Sequence, residues 1–202
     1  MAERTPYREY RPFRPRPQNN GTAPQVLLSP QDRNLILTGY TGPNQPALAG
    51  RVAERLKMRF VNVDAQIETR AGLAIDEIRE VYGEQRLKML EGEAIAESVL
   101  RRSMVLQING RTLLNADHLP RIQETGPVIC LVAALDAVLR RLHLTMGARY
   151  HNPQERAQAL GYVKREWAIR KYDGVLELDT TYLSPDEIVD AIIALWRETQ
   201  TR

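Results

Sequence analysis

The stretch Asn34-Leu35-Ile36-Leu37-Thr38-Gly39-Tyr40-Thr41-Gly42-Pro43-Asn44-Gln45-Pro46 decides the fold. Asn34 to Thr38 is a short apolar run, which reads as a buried strand. Gly39 to Pro46 is a loop dense in turn formers. Beyond it Leu48, Val52 and Leu56 recur at every fourth position, which predicts a helix over 47–58. A strand that runs through a glycine loop into a helix is the opening of an α/β unit.

The alternation continues outward from this unit. Arg59 to Val63, Met104 to Ile108, Val128 to Val132 and Val175 to Leu178 read as four further strands. Residues 64–102 read as several helices broken near Gly72 and Gly83, and 135–145 as another. Ser184-Pro185-Asp186-Glu187 places a capping serine, a proline at the first helical position and a glutamate three residues after the cap. Asn152-Pro153-Gln154-Glu155 repeats that signal. The expected architecture is a three-layer α/β/α sandwich around a five-stranded parallel sheet. In such sheets ligands gather at the carboxyl ends of strands, so the loops after Thr38, Val63 and Ile108 are where chemistry is expected.

The loop after Thr38 has the setting of the phosphate-cradling motif Gly-x-x-x-x-Gly-Lys-Ser/Thr. Gly39 is the first glycine, but Asn44 stands at the second, Gln45 at the lysine and Pro46 at the hydroxyl residue. Gln45 carries no charge for a terminal phosphate. Pro46 has neither a hydroxyl for magnesium nor an N–H for a phosphate oxygen, and Pro43 removes another donor. The loop reads as structurally intact and chemically emptied.

Composition sets the frame. The 202 residues are 43% hydrophobic and 26% charged, as in an ordinary globular protein. Residues 1–30 are expected to form a disordered or polyproline-II arm, and 31–202 the folded domain. The arm holds six of the twelve prolines, and its five arginines against two glutamates carry the whole net charge of +3. The remainder balances, with 23 basic and 23 acidic residues, which argues against nucleic-acid binding by the domain itself. In the arm Arg4, Arg8, Arg11, Arg14 and Arg16 alternate with Tyr7, Tyr10 and Phe13. Three readings stay open for it: a solvated extension, a docking arm for a protein partner, or a nucleic-acid contact. No apolar run is long enough for a membrane span or a secretory signal, so a cytoplasmic, membrane-free protein is expected. Cys130 lies in an apolar strand and reads as core. His118, His143 and His151 have neither metal-ligand spacing nor companion cysteines, and no metal site is expected.

The span 33–198 resembles the shikimate kinases, small P-loop kinases of the nucleoside-monophosphate-kinase type. Val61-Asn62-Val63-Asp64-Ala65-Gln66-Ile67-Glu68 resembles the family's Asp-x-Asp-x-x-Ile-Glu segment. Gly83-Glu84, Leu87-Lys88 and Glu91 resemble its Gly-Glu-x-x-Phe-Arg-x-x-Glu segment. Asn109-Gly110-Arg111 stands at a triple glycine, and Leu139-Arg140-Arg141-Leu142 with Arg149 resembles the helix leading into the lid. The resemblance implies substrate roles for Asp64, Lys88, Gly110 and Arg165, with Asp64 as the catalytic group in an active enzyme. It implies residual nucleotide contacts for Gly39, Gly42 and Arg149. It also exposes departures: Asn62 replaces a carboxylate associated with magnesium, Lys88 replaces an arginine, and Arg111 brings bulk and charge into the pocket. Asp64 is read equally as a helix cap or a ligand-binding group. Arg140-Arg141 and Lys164-Arg165 either line an anionic cleft or lie on solvated faces.

The favoured expectation is a protein that has lost phosphoryl transfer, with no cofactor, acting as a binding or scaffold protein through its arm or residual cleft. The alternative is an active shikimate kinase, or a related small-molecule kinase, using ATP and magnesium at a rearranged phosphate site. In that case Arg149, Arg111 or Lys88 replaces the missing lysine. A shikimate-like small anion is the expected ligand of the cleft, and nucleic-acid binding through the arm is the weaker alternative.

Overall fold

The computed structural model describes residues 32–146 and 153–201. Five strands form one sheet: β1 (Leu35–Gly39), β2 (Arg59–Asn62), β3 (Met104–Gln107), β4 (Val128–Val132) and β5 (Val175–Asp179). Their order is β2-β3-β1-β4-β5, and every pairing is parallel. Parallel strands need crossovers, and helices supply them. These are α1 (Gln45–Leu56), α2 (Val63–Ala71), α3 (Ile75–Leu100), α4 (Gly110–Leu113), α5 (His118–Gln123), α6 (Leu135–Met146), α7 (Pro153–Glu166) and α8 (Pro185–Gln200). A 3-10 turn, Trp167–Lys171, links α7 to β5.

The period of two along the strands divides the core. Leu35 and Leu37 point to the side covered by α1 and α8, where Val52, Ile192 and Trp196 pack. Ile36, with Leu106 and Cys130, points to the other side, against α2, α3, α5 and α6. Both faces are therefore apolar, and β1 and β4 are buried along their whole length. Cys130 is fully buried, and burial pushes its thiol up to about 12, so it is an inert core residue.

The expected elements form, with small boundary shifts. Ser184 accepts from the Glu187 N–H while Glu187 accepts from the Ser184 N–H, the reciprocal cap of α8. The cap on α2 is Asn62, whose side chain accepts from the Ala65 N–H at 3.1 Å. That leaves Asp64 free of capping duty. The expected break at Gly83 is a non-helical residue inside α3, at φ 82°. The four-residue α4 and six-residue α5 have no expected counterpart, because neither is long enough to show a periodicity. The arm over 1–30, Arg149 and the cap residue Asn152 lie outside the described residues. No helix among the described residues is long and apolar enough to cross a membrane.

Candidate functional site

Gly39 fixes the start of the site. Its φ is +82°, and a Cβ there would meet the Leu131 carbonyl oxygen at 2.3 Å, so β1 and β4 close up only around glycine. The chain then crosses the carboxyl end of the sheet and separates two cavities. Tyr40 lines a cavity of about 690 Å³, while Thr41 to Gln45 line one of about 430 Å³. Helix α6 completes the partition: Leu142 faces the larger cavity and Arg141 the smaller.

The larger cavity is lined by ionisable groups. Asp64, at the start of α2, accepts a short hydrogen bond from the Asn109 amide. Loss of hydration pushes the Asp64 carboxyl up to about 7, reinforced by Glu166, Glu91 and Glu68 and opposed by Arg111. Glu91 and Glu166 are nearly inaccessible, at 3% and 2%. Glu91 accepts from the Thr112 hydroxyl and the Asn115 amide. Glu166 accepts from the Gly110 N–H at 2.6 Å, and burial still raises its pKa. A Cβ on Gly110 would lie 2.2 Å from the Glu166 carbonyl oxygen, so glycine is required for α4 to reach the end of α7.

The arginines differ in how far they are committed. Arg79 bridges Asp76 and Glu84, at 2.5 and 3.0 Å. Arg111 lies between Glu84 and Glu91 at the longer distances of 3.6 and 3.8 Å. Arg165 lines the cavity and makes no side-chain hydrogen bond or ion pair among the described residues. On the opposite wall Tyr40 and Tyr162 meet edge to face, with centroids 5.3 Å apart. The Trp167 indole N–H donates to the Tyr40 carbonyl at 2.9 Å and pins the loop.

The smaller cavity has a different character. Its walls are Leu48, Leu144, Leu183 and Ile188, with Arg51 and Arg141 as its cations and no carboxylate in its lining. Gln45 does not face outward as a phosphate-binding lysine does. It is buried, its Nε2 donates to the Gly39 carbonyl, and its Oε1 accepts from the Thr41 N–H. The emptied loop is thus closed upon itself. Arg141 lies over Gly42 and donates to the Thr41 carbonyl at 3.2 Å and to the Thr180 hydroxyl and carbonyl.

Of the residues singled out in the sequence, Asp64, Arg165 and Arg111 line the larger cavity, and Gly110 is buried between the lining residues Asn109 and Arg111. Lys88 does not line it. The buried stripe of α3 runs through Leu87, Glu91, Ala94 and Ile95, which turns Lys88 to solvent. Arg79, from the same helix, lines the cavity instead. Gly39 and Gly42 lie in the loop, Gly42 at the smaller cavity. Glu166 was missed although it adjoins Arg165, and Gln45 was read as a loss without its new contacts. No group of histidine, cysteine, aspartate and glutamate able to hold a metal occurs among the described residues.

The family model described as Shikimate kinase matches residues 47–197. A shikimate kinase of Geobacter sulfurreducens is 33% identical over 168 residues, 83% of this chain and 93% of the relative. One of Thermodesulfovibrio yellowstonii is 30% identical over 164 residues, 80% of this chain and 93% of the relative. The structure of a shikimate kinase from Acinetobacter baumannii in complex with shikimate superimposes with a TM-score of 0.69, covering 84% of this chain and 96% of that one. At 20% identity that match supports the fold.

These relatives correct two expectations drawn from the loop. Proteins named as kinases, matched over nearly their whole length, argue against a non-catalytic protein. A kinase takes its phosphoryl group from a nucleotide, which argues equally against the absence of a cofactor. The sequence offers Arg149, Arg111 or Lys88 in place of the missing lysine. Folding sets Arg141, 100 residues away in sequence, against that same loop. Matched in profile, in sequence over most of its length and in the order of its sheet, this chain belongs to the shikimate kinase family.

Proposed function

We propose that this protein is a small-molecule kinase that transfers a phosphoryl group to a hydroxyl of shikimate or a closely similar polyhydroxylated acid. The observation that carries the reading is Asp64: a carboxylate at the carboxyl end of the sheet, raised to about 7, in the lining of the larger cavity. A base with that pKa is half ionised at neutral pH and takes a proton from an attacking hydroxyl efficiently. The Asn109 amide, donating to Asp64, fixes the direction in which the free oxygen points. Arg165 is the cavity arginine free to meet an acceptor carboxylate, since Arg79 and Arg111 already face acids.

The smaller cavity suits a nucleotide in two respects. Its leucines and Ile188 offer an apolar wall for a base, and its lining presents arginines without a carboxylate to repel phosphate. Such a nucleotide supplies the phosphoryl group. The loop offers no lysine and Pro46 no hydroxyl, so no part of the transfer is assigned to them. Magnesium is held largely by phosphate oxygens and water in sites of this kind, so few protein ligands are needed.

The test is direct. Full-length protein with shikimate, ATP and magnesium should yield a phosphate monoester visible by phosphorus NMR, with matching ADP release. Absence of turnover with shikimate and with a panel of hydroxylated acids, at saturating nucleotide, overturns the reading.

A further inference from the structure

We propose that Arg141, and not the loop after β1, supplies the cation that holds the phosphates of the donor nucleotide. The inference rests on the kinase reading above and adds to it the residue that replaces the missing lysine.

Several of the loop's own donors are spent or absent. The Thr41 N–H is held by the Gln45 carboxamide at 3.1 Å. The Gln45 N–H donates to the Gly42 carbonyl at 3.2 Å. Pro43 and Pro46 have no N–H at all. Gly42 and Asn44 keep their N–H groups, so an arriving phosphate finds only part of the backbone cradle such loops provide.

Arg141 is placed to compensate. Its Nη1 donates to the Thr41 carbonyl and the Thr180 hydroxyl, and its Nη2 to the Thr180 carbonyl. A guanidinium has five N–H groups. Three are used, which leaves the Nε–H and one Nη2–H uncommitted among the described residues. Nε and Nη2 form the side-on edge of a guanidinium, the edge that can grip two oxygens of a phosphate. All three acceptors are neutral, and among the described residues no carboxylate lies within ion-pair distance of Arg141, although Asp179 acts on it from farther away. Burial and the neighbouring Arg140 lower its pKa from the usual arginine range, and Asp179 only partly offsets them. An anion entering the cavity relieves the remaining cost.

Among the described residues, the other cations around the two cavities are occupied or elsewhere. Arg51, at the mouth of the smaller cavity, is paired with Asp186. Arg140 is paired with Asp136 at 2.6 Å. Arg111 and Arg165 line the larger cavity, and Lys88 faces solvent. The buried carbonyl contacts also distinguish Arg141 from a surface arginine: they preorganise the guanidinium at the loop.

The experiment is calorimetric titration of the full chain with ATP and, separately, with adenosine, for wild type, Arg141→Gln, Arg141→Lys and the double variant Gln45→Lys with Arg141→Gln. Arg141→Gln should weaken ATP roughly 10- to 100-fold, the range of a charged hydrogen-bonded contact, and change adenosine less than about 3-fold. Arg141→Lys should recover part of the loss, since charge returns without the fork. The double variant should regain ATP affinity by restoring a cation in the loop. Equal ATP affinity in wild type and Arg141→Gln overturns the proposal and leaves the kinase reading standing. An equal loss for adenosine also overturns it, since Arg141 would then only shape the cavity. A wild-type protein that binds no ATP overturns both. If Arg141→Gln fails to fold, Arg141→Lys carries the same comparison, and unchanged ATP affinity in that folded variant, with its fork lost, counts against the proposal.

Discussion

The two cavities meet at a wall where Tyr40 and Thr41, and then Leu142 and Arg141, face opposite ways. On one side five carboxylates and three arginines line the space, several of them buried and tied to one another. On the other the lining is mostly apolar, with two arginines and no carboxylate. In the larger cavity each member of the ionisable network supports another: Glu166 holds Gly110, Asn109 holds Asp64, and Glu91 holds Thr112 and Asn115. Removing one leaves a buried charge or donor without its partner, which costs about 1–3 kcal/mol or more. In the smaller cavity Gln45 satisfies two backbone groups of the loop, the Thr41 N–H and the Gly39 carbonyl.

The sharpest way to break this comparison is Asp64→Asn. It should lower kcat by about 10²–10⁴-fold, the usual contribution of a positioned base, while ATP affinity by calorimetry stays unchanged. A loss of ATP binding would mean that the two sides are not separable.

The same residue makes a pH prediction. In the folded chain Asp64 titrates at about 7, against 3.8 when unfolded. Between those values the folded state binds the extra proton, so stability falls as pH rises and levels off above about 7. The full change is on the order of 4 kcal/mol, and Glu166, also raised, acts in the same direction. Asp64→Asn should flatten the stability curve between pH 4 and pH 7 in urea melts. In the wild type kcat/KM should climb through the same region as Asp64 ionises.

Arg165→Gln should raise KM for the acceptor about 10- to 100-fold and leave ATP affinity untouched, as expected for one charged hydrogen-bonded contact. Equal effects on both ligands would place Arg165 in neither cavity's service. The smallest effect is expected at the cavity mouth. Arg51 and Asp186 form an exposed pair, so Arg51→Ala should change stability by less than about 1 kcal/mol and ATP affinity by less than about 3-fold.

Much of the fold was legible because its determinants are local. Ile36 alternates with Leu35 and Leu37, the β4 run is continuously apolar, and Ser184 stands three residues before Glu187. Each signal lies within a few residues of the element it specifies. Part of the site was legible too. Asp64 sits at a strand end, and Arg165 lines the same cavity. The wrong placement of Lys88 had a local cause that periodicity could have caught: Leu87 and Glu91 share one face, and Lys88 is off it.

The sequence by itself determined the parallel sheet, the helix caps and the loss of charge from the loop, since these follow from side-chain period, capping chemistry and the absence of a lysine. Only the tertiary structure decided which side chains meet around the loop and the cavities. Glu166 meets Gly110 across 56 positions, and Arg141 meets Thr41 across 100. Such contacts depend on how helices cross the sheet ends, which no local pattern encodes. Hydrogen bonds and charges act over a few ångströms, so the chemistry of this site exists only once folding has brought those distant residues together.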